Sequence, residues 1–138
     1  MYETFEHTAD LGLRVRAEDL PTLFSEAGRG LCSIFVDNPA EVRPLQELRI
    51  HVEGDMKQVD YLLFDWLSEL LYRFETQQLL LFDFDVTLNQ TGLSATARGE
   101  RVDPQRHQLA HEVKAITYHL LQVKETPQGW QAQVIVDI

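Results

Sequence analysis

The chain has 138 residues, 44% of them hydrophobic, and 22 acidic against 12 basic side chains leave it with a formal charge of −10. That length suits one full core rather than two, so residues 1–138 are expected to form a single domain. The charge opposes autonomous nucleic-acid binding and favours basic proteins or cations as partners. No run approaches a membrane span, and the first ten residues mix Glu3, Glu6, His7 and Asp10 where a secretory leader would be basic and then apolar, so a cytoplasmic protein is expected.

Residues 4–16 begin polar and then alternate, Leu11, Leu13 and Val15 against Gly12, Arg14 and Arg16, which is the period of a half-buried strand. Asp19 and Pro21 then open a helix with apolar positions at Leu20, Leu23, Phe24, Ala27, Leu31, Ile34 and Phe35. Gly28 and Gly30 weaken that helix locally, and close packing against a neighbouring element is the expected reason. The single cysteine, Cys32, lies in the same apolar pattern and reads as a buried core thiol. Residues 37–44, D-N-P-A-E-V-R-P, have loop punctuation, and Leu48, Ile50 and Val52 alternate as a strand.

The most strongly patterned stretch is residues 59–74, V-D-Y-L-L-F-D-W-L-S-E-L-L-Y-R-F. Its apolar residues Val59, Leu62, Leu63, Trp66, Leu67, Leu70, Leu71 and Phe74 fall at steps of three and four, predicting a helix with one buried side. Asp55, with Gln58 three residues later, has the spacing of a capping box at its start. Asp60, Asp65, Glu69 and Arg73 mark the opposite face, read as a solvated surface or as an acidic stripe for a partner.

Leu80, Phe82, Phe84, Val86 and Leu88 then alternate as a long strand up to the turn Asn89-Gln90-Thr91-Gly92. A return strand is expected over residues 93–98, with Gly99 ending it. Residues 103–107 read as a loop or single helical turn. Residues 109–120 satisfy both periodicities, with a strand favoured from about Lys114. After a turn at Thr126-Pro127-Gln128-Gly129, Ala132, Val134 and Val136 alternate in a last strand. The outline is β-β-α-β-α-β-β-β-β, an α+β fold with two helices packed on a largely antiparallel or mixed sheet.

Phosphate-binding glycine loops, a G-x-S-x-G elbow and paired zinc cysteines are all missing from the sequence. His107 and His111 have the spacing of a metal pair if their segment is helical, with no third ligand nearby. Asp10, beside the first strands, and Asp137, followed by Ile138 and its carboxylate, are two unrelated surface aspartates or the hard oxygen ligands of one site. Two carboxylates about 4 Å apart repel by roughly 4 kcal/mol at an effective dielectric near 20, which raises one pKa or recruits a cation.

Four blocks, E-H-T-A-D-L-G-L at residues 6–13, L-L-F-D-W-L-S-E-L-L-Y at 62–72, V-K-A-I-T-Y-H at 113–119 and V-I-V-D-I at 134–138, together resemble the archease family over the whole chain. Ser68, where many relatives have Asn, is a departure that touches no candidate ligand. The resemblance implies a non-catalytic accessory protein of the RtcB-type RNA-splicing (tRNA) ligase, promoting the ligase's guanylylation and multiple turnover. It further implies that Asp10, Asp137 and Ile138 hold calcium and that Lys114 is a functional basic residue beside them. Carboxylate ligands by themselves suit magnesium and manganese equally. Two other readings use the same residues: a metal-dependent hydrolase built on Asp10 and Asp137, and a general chaperone or protein-binding module.

Overall fold

The computed structural model describes residues 1–7 and 10–138, so Thr8 and Ala9 of the H-T-A-D segment lie outside the described residues. Strands β1 (Tyr2–His7) and β2 (Asp10–Ala17) form an antiparallel pair, followed by α1 (Leu20–Phe35), β3 (Gln46–Glu53) and α2 (Val59–Gln77). Then come β4 (Leu79–Asn89), β5 (Gly92–Arg101), β6 (Ala115–Ile116), β7 (Gln122–Thr126) and β8 (Gly129–Asp137). The expected class is realised, with two differences of detail. The strands divide between two sheets, and the ambiguous 109–120 region with its continuation supplies both a short β6 and a separate β7.

In the larger sheet β8 is the hub, paired with β2 on one side and with β6 and β7 on the other; the smaller sheet runs β3-β5-β4. Every pairing among the described strands is antiparallel. Each helix packs on strands of both sheets, α1 on β1, β2, β8 and β4, and α2 on β3, β4, β5, β6 and β7. One contiguous core joins them, from Leu13 and Val15 through Leu23, Phe24 and Leu31 to Trp66, Leu80 and Val134.

Asp19 caps α1 as expected, its carboxylate accepting from the Thr22 amide at 2.8 Å. Close packing explains the helix glycines, for a Cβ at Gly28 would meet the Phe84 ring at 2.8 Å and one at Gly30 would collide with Leu13. Cys32 is buried, and burial pushes its thiol up to about 12, which leaves it a core residue rather than a nucleophile.

The start of α2 departs from the capping-box expectation. Asp55 caps a separate 3₁₀ turn, Met56–Gln58, accepting from Lys57, and Gln58 precedes α2 without a side-chain cap. Leu62, Leu63, Trp66, Leu67, Leu70 and Leu71 are buried as predicted, while Val59 and Phe74 at the ends are half-buried. On the opposite face, Glu69 and Arg73 form an i,i+4 ion pair at 3.0 Å, the solvated arrangement.

Gln78, after α2, sits at φ 54° and donates its amide to Phe74 O at 2.8 Å. A side chain is disfavoured in this left-handed cap, so Gln78→Gly is expected to stabilise the protein by about 1 kcal/mol. The check is a thermal melt, in which an unchanged or lowered Tm would contradict the expectation.

Gly99 does not end its strand. β5 continues to Arg101, and Gly99 pairs with both Gln46 and Leu81 next to a register shift in β4 between Leu81 and Asp83. A Cβ there would strike the Leu80 carbonyl oxygen, so the residue that reads as a breaker is the one that lets the bulged strand approach.

Candidate functional site

The alternation that buries Leu13 and Val15 on β2, and Val134 and Val136 on β8, turns the intervening residues to the face away from the helices. Along that outer face the pairs are Arg14↔Gln133, Gly12↔Ile135 and Asp10↔Asp137. The Phe5 ring lies over Gly12, and Arg14 lies 4.3 Å above that ring while reaching Glu3 and Gln133, each at 3.3 Å. Ile135 is fully buried on this side although it is outside the main core. Beyond this apolar row, at the end of the sheet, stand the two aspartates.

Asp10 and Asp137 are direct partners across an antiparallel pair, an arrangement that puts their Cβ atoms about 5 Å apart on one face. Both are half-buried. On the other side of β8, Asp137 pairs with Ala115, and the Lys114 amide donates to the Asp137 carbonyl at 2.7 Å. Thus β8 carries the residue that joins the first strands of the chain to the 114–116 segment, and Ile138 follows directly. Three distant parts of the chain, at Asp10, Lys114 and Asp137 with Ile138, meet at one sheet end.

Their donor chemistry suits a hard cation, since carboxylate and main-chain oxygens are what calcium and magnesium take. Their number is small. Among the described residues no group of three or more His, Cys, Asp or Glu side chains converges as a metal site.

The His107–His111 pair does not form. Residues 107–111 are not helical, and both ring nitrogens of His107 are already engaged within the protein. The Asp103 amide donates to Nδ1 at 2.8 Å, which places the ring hydrogen on Nε2, facing Glu100 Oε2 at 3.2 Å. Glu100, also buried, accepts from the Arg43 amide at 2.6 Å and pairs with the Arg106 guanidinium. Burial pushes its carboxyl up, but the Arg43 amide, Arg106 and His107 together hold it below the ordinary value. This network ties the end of β5 to the 39–45 and 103–107 loops. It is structural, and sequence reasoning missed it because its members are polar residues in loops without periodicity.

The family model for the Archease protein family (MTH1598/TM1083) matches residues 2–138. Protein archease of Pyrococcus furiosus is 37% identical to this chain, covering 99% of it and 98% of the relative. The Methanopyrus kandleri archease is 39% identical, covering 99% of each. The solution structure of Methanobacterium thermoautotrophicum protein 1598 matches with a TM-score of 0.84 at 30% identity, covering 99% of this chain and 98% of that one. A crystal structure of a Thermotoga maritima archease, named as a possible chaperone, has a TM-score of 0.67 at 18% identity, covering 100% and 98%, which is a likeness of fold.

Proposed function

This chain belongs to the archease family, and from that premise we propose that it is an accessory, non-catalytic activator of an RtcB-type RNA-splicing ligase. It promotes guanylylation and multiple turnover of the ligase through the acidic sheet end. The observation that carries this reading is the direct pairing of Asp10 with Asp137, with the Lys114 main-chain amide donating to the Asp137 carbonyl.

Two carboxylates held as cross-strand neighbours repel each other, and the fold keeps them together where a hydrophobic or oppositely charged pair would be more stable. Such an arrangement suits the binding of a hard cation. Asp10, Asp137 and Ile138 would hold a calcium ion, completed by water. Bound there, the ion would supply positive charge at the tip and offset the carboxylate repulsion. Lys114, exposed on the neighbouring segment, would add a positive charge. The net charge of −10 matches a basic ligase surface and disfavours direct nucleic-acid binding. Among the described residues no helix is long and apolar enough to cross a membrane.

The test separates site from fold. Asp10→Ala, Asp137→Ala and Lys114→Ala are each expected to keep stability within about 1 kcal/mol, because they act at a surface tip. Each is expected to lose stimulation of guanylylation in a time course with ligase limiting. Combining two should cost little more than one, since residues acting as a unit are not additive. Calcium titration of the Asp137→Ala protein should show weakened binding. Folded variants that still restore turnover would refute the tip mechanism, and stimulation lost only in unfolded variants would leave the aspartates with a structural role.

A further inference from the structure

Three of the large apolar or aromatic side chains left exposed, Tyr61 at 50%, Tyr118 at 60% and Leu120 at 50%, belong to one region, where α2 meets the chain between β6 and β7. The Tyr118 ring stacks on Phe64 with centroids 4.0 Å apart and meets Tyr61 edge-on at 5.8 Å. Phe64 in turn packs against the core, so the outer rings stand on a fixed base.

The turn that presents them is tied down. Thr117 Oγ1 donates to the Ile135 carbonyl at 2.8 Å, the Leu121 amide to Tyr118 O at 3.2 Å, and Gln133 Nε2 to Leu120 O at 3.3 Å. Leu120 itself lies at φ 54°, a left-handed conformation that leucine rarely adopts and glycine adopts freely. The fold therefore holds an apolar side chain in an unfavourable backbone geometry and leaves half of it in water, which does nothing for the core.

The surroundings point to the kind of partner. On α2, Asp60 lies one turn before Phe64, and Asp65 one turn after Tyr61. Neither carboxylate has an ion-pair partner among the described residues, and desolvation raises the Asp65 carboxyl. Aromatic faces beside carboxylates without an ion-pair partner, Asp60 accepting only from the Tyr61 amide at 3.1 Å, suit a guanidinium, which stacks on the ring and forks onto the acid. A nucleic-acid backbone would be repelled by the same acids, and a second copy would bring like charges together. Tyr118 is three residues from Ala115, the partner of Asp137, roughly 10 Å of extended chain from the acidic sheet end.

We propose that Tyr61, Phe64, Tyr118 and Leu120, with Asp60 and Asp65, form a docking ledge for a basic, arginine-bearing face of the partner ligase, an inference that rests on the activator reading above. The ledge supplies affinity, and the neighbouring aspartate tip supplies the effect on the ligase.

The experiment titrates the full chain against purified ligase from the same organism and follows guanylylation at limiting and saturating chain, with a thermal melt for each variant. Tyr118→Ala and Asp65→Arg should each weaken binding by roughly tenfold or more and regain stimulation at saturation. Asp137→Ala should fail to stimulate even at saturating chain, where the ledge variants recover. Leu120→Gly should raise Tm and still weaken binding, a combination that a purely structural role does not produce. Native affinity in folded Tyr118→Ala and Asp65→Arg proteins would overturn the ledge while leaving the activator reading intact. A dimer in sedimentation that Tyr118→Ala dissociates would instead assign the surface to a second copy. A wild-type chain that neither binds nor stimulates the ligase would remove the activator reading and the ledge with it.

Discussion

Replacing Trp66 with alanine is expected to lower the unfolding free energy by about 3–5 kcal/mol. Its side chain is fully buried and meets Phe84 edge-on at 5.5 Å, while the indole N–H donates to the Phe24 carbonyl at 2.9 Å. The substitution therefore opens a large cavity between α1, α2 and β4 and removes a buried hydrogen bond. Trp66→Phe keeps much of the volume and loses the donor, so it should fall between alanine and the native residue. Asp65→Ala, one residue away on the exposed side, should change stability by only about 0.5 kcal/mol. Urea melts of the three variants provide the measurement. Equal losses for Trp66→Ala and Asp65→Ala would mean that the burial of this helix face does not dominate the fold.

Neutralising Glu100 is expected to cost about 3 kcal/mol at pH 7, because Glu100→Gln leaves the Arg106 guanidinium without its buried counter-charge. The effect should also depend on pH in a defined direction. The folded-state pKa of Glu100 lies below its unfolded value, so the contribution is full above the unfolded value, about 4.5, and is lost as pH falls through the folded pKa. The gap in stability between native protein and Glu100→Gln should accordingly be widest near neutral pH and close in acid. Denaturant melts at several pH values measure it, and a gap independent of pH would show that Glu100 acts through shape rather than charge.

How much was legible in advance differs by element. Helix α2 could be read because burial of Leu62, Leu63, Trp66, Leu67, Leu70 and Leu71 imposes a period on the residues themselves. The 109–120 region could not, since Val113 and Ile116 are buried by a short β6 and irregular chain, and neither obeys a single period for long enough to decide. Gly99 misled for a related reason. A glycine that breaks a strand and one that admits a neighbouring bulge look the same until the Leu80 carbonyl is placed beside it.

The sequence by itself determined the elements whose side chains repeat: both helices, the β4–β5 hairpin, the buried Cys32 and the alternation of β2 and β8. It also carried Asp10 and Asp137 as candidates, along with the family to which the chain belongs. Only the tertiary structure decided that these two aspartates are register partners, 127 residues apart in sequence but neighbours across β2 and β8. It likewise decided that the strands form two sheets, that Glu100 gathers Arg43, Arg106 and His107, and that Tyr118 stacks on Phe64. The physical reason is common to all of these. Periodicity records which side of an element faces apolar surroundings, whereas the identity of a polar or aromatic partner depends on strand order and loop path, which hydrophobic patterning leaves open.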